Sequence, residues 1–377
     1  MNKQKKIVIL GTAYPFRGGL ASYNERLALA FNQEGHQCKI ATFTTQYPSF
    51  LFPGKTQFSE SPAPKNIEIT RAVSSINPFT WLRLGRKLKK EKPDILIIKY
   101  WLPFMAPCFG TVARIVKKNK HTKVICIIDN IIPHEKRIGD NALTKYFVKP
   151  IDAFLAMSEN VLDDLKKFDT KKPRTLNPHP VFDNFGEPVS KEEACQKLGL
   201  NPNEKYILFF GIIRDYKGLD ILLESLNNEK VKQHNVKVMV AGEFYSNEEK
   251  YRQIIEKNKL QDQLILATHF IKDEEVKHYF SAADLVVQPY KHATQSGVTQ
   301  IAYQFEKPMI VTNVGGLPEL VPHQQAGLVV EPNPKEIANA IDEFFSGDKN
   351  KFSTGVKAQK EKFGWDKMVQ QLLKLCE

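Results

Sequence analysis

Residues 206–220 read YILFFGIIRDYKGLD. The first five form an unbroken apolar run that stops at Gly211, as a strand buried on both faces of a parallel sheet does. Arg214 and Lys217 come at once after it, and a helix-compatible stretch begins at Leu219. Strand, short cationic loop and helix make the opening unit of an open α/β domain. Two cations directly after such a strand suit a diphosphate, because Arg grips it with paired hydrogen bonds and Lys adds a point charge. The competing reading is a pair of surface cations in a loop, and this stretch alone weighs equally for both.

The alternation continues downstream with strands at Val236–Ala241, Leu264–Thr268, Leu285–Gln288 and Met309–Thr312, and with helices at Asp273–Ser281 and Val298–Phe305. Upstream, strands fit Lys6–Leu10, Cys38–Phe43, Asp94–Lys99, Val124–Ile128 and Ala153–Met157, with a helix over Leu20–Gln33. Between the halves lies Asp169–Glu187, whose prolines at 173, 178 and 180 bar a helix or a central strand and mark a linker. A last helix is expected over Lys360–Leu375, with Trp365, Met368, Leu372 and Leu375 on one face. The fold class is therefore α/β: two Rossmann-like domains with parallel sheets, residues 1–175 and 176–355, followed by a terminal helical segment 356–377. Ligands are expected at the carboxyl ends of the strands, in a central cleft that the two sheets face.

The basic N-terminus has only four apolar residues, Ile7 to Leu10, before Gly11. That is shorter than the ~7–15 of a signal peptide. No run approaches the ~18 of a membrane span. Five scattered cysteines without a CxxC pair give no expectation of disulfides or structural zinc. These features place the protein in the cytoplasm. Charge is uneven: residues 1–180 hold 30 Lys and Arg against 14 Asp and Glu, whereas 181–377 hold 24 against 28. The basic runs Arg83–Lys92 and Arg114–Lys123 suit an anionic partner, either the inner membrane face or nucleic acid. No nucleic-acid module is recognisable, so nucleic acid is not expected. The plain alternative is a solvated surface.

Other loops come after predicted strands. Gly18-Gly19 precedes a helix and would free N–H groups for a phosphate or let the domain close, though a tight turn explains it as well. Residues 287–319 read VQPYKHATQSGVTQIAYQFEKPMIVTNVGGLPE, with Gln295, Ser296 and Gly297 at a helix start, a second anion site. Asp129 and His134 lie in the loop after Val124–Ile128, where either suits a sugar hydroxyl or an acceptor proton; a loop-orienting role is the alternative for His134. Tyr100–Phe104 is read as packing ahead of an acceptor-stacking platform. The His269–Ile271 loop, with Ile271, is the expected nucleoside contact. No Asp-x-Asp pair is present to hold a metal on a diphosphate.

In their order, the Gly18-Gly19 loop, the FG…KG-L-D stretch at 210–220 and the QSG…GG-L-P-E stretch at 295–319 resemble the retaining glycosyltransferases of family 4, the group 1 class. The resemblance covers essentially the whole chain, including the Trp365 helix, which it implies crosses back to the first domain. It implies a GT-B fold and a nucleoside diphosphate sugar donor, UDP- or GDP-linked, held mainly by the second domain. It further implies transfer with retention and no metal or other cofactor. It says little about the acceptor, which is expected to be a lipid-linked or surface-polysaccharide sugar. Two departures stand out. Ile212 occupies the place of the usual arginine, which lies at Arg214. The paired glutamates of the family fall at Ala293 and Ile301, leaving Gln295, Gln300 or Glu306 as ribose partners. Many members carry a histidine where Asp129 stands. The rival reading is a catalytically degenerate GT-B protein that binds a nucleotide or glycan in a regulatory role.

Overall fold

The computed structural model describes residues 3–48, 56–60, 62–133, 137–245, 247–293 and 296–376. The chain divides into two units, Met1–Pro178 with Trp365–Glu377, and His179–Gly364.

The first unit is built on seven strands: β1 (Lys6–Leu10), β2 (Gln37–Thr45), β3 (Glu68–Ser74), β4 (Ile95–Tyr100), β5 (Lys123–Ile128), β6 (Ala153–Ala156) and β7 (Arg174–Leu176). They pair in parallel in the order β3-β2-β1-β4-β5-β6-β7. The second carries β8 (Lys205–Phe210), β9 (Val236–Ala241), β10 (Leu264–Ala267), β11 (Leu285–Gln288), β12 (Met309–Thr312) and β13 (Gly327–Val330), ordered β10-β9-β8-β11-β12-β13. In each unit the chain starts mid-sheet, winds to one edge, then returns past its first strand and winds to the other. The order reverses between β1 and β4, and again between β8 and β11. The crevice beyond the carboxyl ends at such a reversal is where open α/β sheets bind ligands.

The continuous apolar runs sit where a sheet covered on both faces needs them. β4, ILIIKY, is buried throughout, and Ile7 to Leu10 are at most 2% exposed. Helix Gly19–Gln33 buries Tyr23, Leu27 and Phe31, and helix Ala106–Lys117 buries Phe109 and Val112. The close approach of helices Pro78–Glu91 and Ala106–Lys117 is set by Gly85, where a Cβ would lie 2.9 Å from Ile115. Among the described residues, no helix is long and apolar enough to cross a membrane.

Three expectations need correction. The stretch read as a linker begins with structure: Arg174–Leu176 forms β7, and Arg174 is pinned to Asp169 at 2.9 Å. The prolines at 173 and 178 bound this edge strand rather than forbid it, and the break between units falls after Pro178. The terminal segment does not pass to the first unit at residue 356. Helix Lys349–Lys360 stays in the second unit, where Gly355 packs on the Gln325 backbone too closely for a Cβ. Nor is Lys360–Leu375 one helix, since Gly364 takes extended backbone angles and helix Trp365–Lys374 starts afresh. In the first unit Trp365 packs on Tyr23, with ring centroids 5.3 Å apart, and Arg26 lies 5.1 Å over its ring.

Candidate functional site

In the second unit, β8 ends at Gly211. A Cβ there would come 3.0 Å from Lys217 Nζ and 3.7 Å from Val298 Cγ2. Three elements therefore meet at this point: the strand end, the 3-10 turn Asp215–Lys217 and the start of helix Gly297–Gln304. Gly218 closes the turn at φ +69°, and a Cβ on it would fall 1.9 Å from the Pro289 carbonyl oxygen. Only glycine lets the turn press onto the loop after β11, at the β8/β11 reversal.

Lys217 is 7% exposed. Its ammonium lies 5.4 Å from the centroid of the Tyr290 ring and has no ion pair or hydrogen bond among the described residues. Burial holds its pKa below the ordinary lysine value, and the charge of Arg214 adds to that lowering. Arg214 stacks its guanidinium 5.5 Å over Tyr245, while its Nε is buried without a hydrogen-bond partner. Ser296 is the N-cap residue of helix Gly297–Gln304, yet its hydroxyl does not cap that helix. It lies 3.2 Å from the Tyr290 hydroxyl instead. A Cβ on Gly297 would approach Phe182 to 3.0 Å. Gln295 lies outside the described residues. Two cations and a helix N-terminus, all positive, thus lie together, with no carboxylate paired to either cation among the described residues, and an anion completes such an arrangement.

The loop carrying the cations is braced from outside. Lys250 Nζ donates to Asp215 and to Asp220, each at 2.7 Å, and Lys291 Nζ donates to Asp215 at 3.1 Å and Asp220 at 2.8 Å. Asp220 of the KGLD stretch is therefore a strut, and neither Asp215 nor Asp220 pairs with Arg214 or Lys217 among the described residues. Ile271 is buried after β10, two strands from Gly211, about 10 Å across the sheet. The candidates for the missing glutamates also separate. Glu306 pairs with Lys357 at 3.4 Å and Lys360 at 3.7 Å. Gln300 is fully buried, and neither end of its amide has a hydrogen-bond partner.

At the β1/β4 reversal of the first unit the chemistry differs. Lys99, at the end of β4, is 2% exposed and donates to Asp129 Oδ1 at 2.7 Å. Its ammonium sits 3.6 Å over the buried Tyr23 ring. Burial raises the Asp129 pKa, and Lys99 opposes that rise. Asp129 Oδ2 has no partner among the described residues, and the side chain is 13% exposed. His134 lies outside the described residues. Gly18, φ +99°, caps helix Gly19–Gln33, and a Cβ on Gly18 or Gly19 would meet nothing within 4 Å. Tyr100 stacks on Phe147 at 4.2 Å, and Trp101 donates to the Tyr47 hydroxyl at 2.8 Å, so this stretch packs the core.

Sequence reasoning missed Lys99, Tyr23, Tyr290, Lys250 and Lys291. Lys99 had a signal, a lone cation one residue before the end of the fully buried strand ILIIKY. The others are joined to their partners only by the fold. Among the described residues no three His, Cys, Asp or Glu side chains group as metal ligands.

Two parallel sheets of doubly wound order, with a cationic loop at one reversal, define an α/β protein of paired Rossmann-like units. Likeness to known proteins names the family. Residues 17–181 match Glycosyltransferase Family 4, and residues 190–361 match Glycosyl transferases group 1. The chain belongs to these glycosyltransferases, with a GT-B fold, and is a sugar-transferring enzyme. An uncharacterized glycosyltransferase of Methanocaldococcus jannaschii is 24% identical over 399 residues, covering 97% of this chain and 96% of its own. A D-inositol 3-phosphate glycosyltransferase of Corynebacterium urealyticum is 24% identical over 254 residues, 64% of this chain and 58% of its own. Among solved structures, sucrose-phosphate synthase from Thermosynechococcus elongatus superposes with a TM-score of 0.73 at 18% identity, covering 98% of each chain. The Anabaena protein HepE in complex with UDP-glucose does so with 0.73 at 14% identity, over 98% of this chain and 99% of its own.

Proposed function

We propose that the second unit binds a nucleoside diphosphate sugar, UDP- or GDP-linked, and that its sugar passes with retention, without a metal, to a saccharide or lipid-linked acceptor. One observation carries the reading: Lys217 is a buried ammonium with no counter-ion among the described residues, beside Arg214 and the start of helix Gly297–Gln304. A buried charge left unpaired is costly, so a diphosphate is the component that balances it. The fold likeness to a protein holding UDP-glucose supports the same choice of ligand.

In this reading Arg214, Lys217 and the N–H groups at Ser296 and Gly297 take the charge that builds on the departing diphosphate. Gln295, next to Ser296 in the sequence, supplies a further amide. Gln300 takes the place of the absent carboxylate towards the ribose, and Ile271 contacts the nucleoside. Asp129 accepts a hydrogen bond from a sugar hydroxyl through Oδ2, with His134 in the same loop. Gly18 and Gly19 leave open space over their helix start for a ligand. The bond from the anomeric carbon to the phosphate oxygen breaks, and its electron pair leaves with the diphosphate. The acceptor oxygen bonds to that carbon on the same face, and its proton passes to the leaving phosphate.

Calorimetric titration with UDP, GDP and ADP tests the donor site. Selective binding of one of them is expected, weakened about a hundredfold in Lys217→Ala, as for truncating one partner of a buried charge pair. A folded protein that binds none of the three would overturn the assignment and leave the degenerate, regulatory reading.

A further inference from the structure

Helix Pro78–Glu91 turns Leu84, Gly85 and Leu88 inward. At 3.6 residues per turn, positions 79, 83, 86 and 90 form a single stripe on the opposite side. They are Phe79, Arg83, Arg86 and Lys90, all exposed, spanning about 16 Å of the helix. Phe79 is 81% exposed, and Ile76, just ahead of the helix, is 52% exposed. None of the three cations has an ion pair or hydrogen bond among the described residues. The acid of this helix, Glu91, lies off the stripe and is engaged by Lys39 at 3.1 Å and Lys87 at 3.7 Å.

The fold extends this surface with the second basic run. Beyond the helix, the Pro93 carbonyl accepts from Thr122 Oγ1 at 2.6 Å and the Asp94 carbonyl from the Lys123 N–H at 3.0 Å. Exposed Lys120 and Lys123 thereby join Lys90 and Lys92 at one end. The carboxylate between them, Asp94, is taken up by His121 and the Lys6 N–H. In contrast, Arg114 and Lys117 of that run are spent within the fold, on the Gly110 and Tyr146 carbonyls and on Asp152.

We propose that this face docks the enzyme on an anionic membrane surface, with Phe79 and Ile76 entering the headgroup boundary and the cations lying over lipid phosphates. A row of unpaired cations alone would fit any polyanion. The two bulky apolar side chains at its head select the membrane, because an interface rewards their burial and a nucleic-acid backbone does not. The proposal stands apart from the donor site, which lies in the other unit.

The test is flotation of the full chain with vesicles of phosphatidylcholine alone and of phosphatidylcholine with about a third phosphatidylglycerol. Binding is expected to the anionic vesicles only, and to weaken with salt. The triple variant R83E/R86E/K90E should bind them at least about a hundredfold more weakly, at roughly fivefold per lost cation. Phe79→Ser should lose roughly tenfold on vesicles while leaving any binding to a random DNA duplex unchanged. Both variants alter exposed residues and should retain the wild-type circular dichroism and nucleotide binding. Wild-type protein indifferent to anionic lipid, or a triple variant that floats like wild type, would overturn the proposal. Tighter binding to DNA than to vesicles, unaffected by Phe79→Ser, would overturn it in favour of a nucleic-acid surface.

Discussion

Each half of the molecule buries a lysine at the point where its strand order reverses, and the two lysines are treated in opposite ways. Lys99 is 2% exposed and is answered by Asp129 at 2.7 Å and by the face of Tyr23. Lys217 is 7% exposed and is answered by nothing charged among the described residues of its own unit. The first arrangement is electrostatically closed and contributes to the fold. The second is open and is completed by a ligand. A shared topology fixes where a ligand sits, and the local pairing of charge decides whether the fold or the ligand supplies the partner.

The difference can be broken most forcefully at Lys99. Lys99→Met should destabilise the protein by about 4 kcal/mol, because it leaves Asp129 buried without its cation. Adding Asp129→Asn should recover part of the loss, which thermal melting of the single and double variants would read. A single variant that melts like wild type would remove the contrast between the halves.

Next in size is the brace beneath Lys217. Asp220→Asn weakens the acceptor shared by Lys250 and Lys291, at 2.7 and 2.8 Å, and should loosen the loop that presents the cations. Nucleotide affinity should fall about tenfold, as for one charge-assisted hydrogen bond, with a smaller change in melting temperature. An equal loss in both would mark Asp220 as a general stabiliser.

The smallest effect has the more telling sign. The folded pKa of Lys217 lies below the ordinary 10.5. Between that folded value and 10.5 the unfolded chain binds more protons, so the contribution of Lys217 to stability rises with pH. Below that window the cost of the buried charge is present in full. Lys217→Met should therefore stabilise the unliganded protein near neutral pH by about 1 kcal/mol and lose the alkaline rise. The same substitution should abolish tight nucleotide binding. A Lys217→Met protein that melts lower than wild type would mean that a counter-ion within the fold already answers this lysine.

Much of this was legible in the sequence. Buried central strands announce themselves as apolar runs, and Tyr206–Phe210 and Ile95–Ile98 read directly. The three strands that went unread, Glu68–Ser74, Arg174–Leu176 and Gly327–Val330, all lie at sheet edges. An edge strand is covered less, so its sequence carries polar residues or only a few positions. Pro173 made Arg174–Leu176 look like linker, although an edge strand tolerates a proline beside it.

At the candidate site, the sequence itself determined the two α/β units, the order of the loops and the presence of Arg214, Lys217 and the Gly297 helix start. These are local facts, set by hydrophobic period and by the residues at the carboxyl end of each strand. Only the tertiary structure decided which charges are spent. It gave Asp220 to Lys250 and Lys291, Glu306 to Lys357 and Lys360, and Asp129 to Lys99, and it left Lys217 without a carboxylate among the described residues. Those pairings join residues from separate elements. Coulomb energy depends on distance and burial, and chain spacing specifies neither.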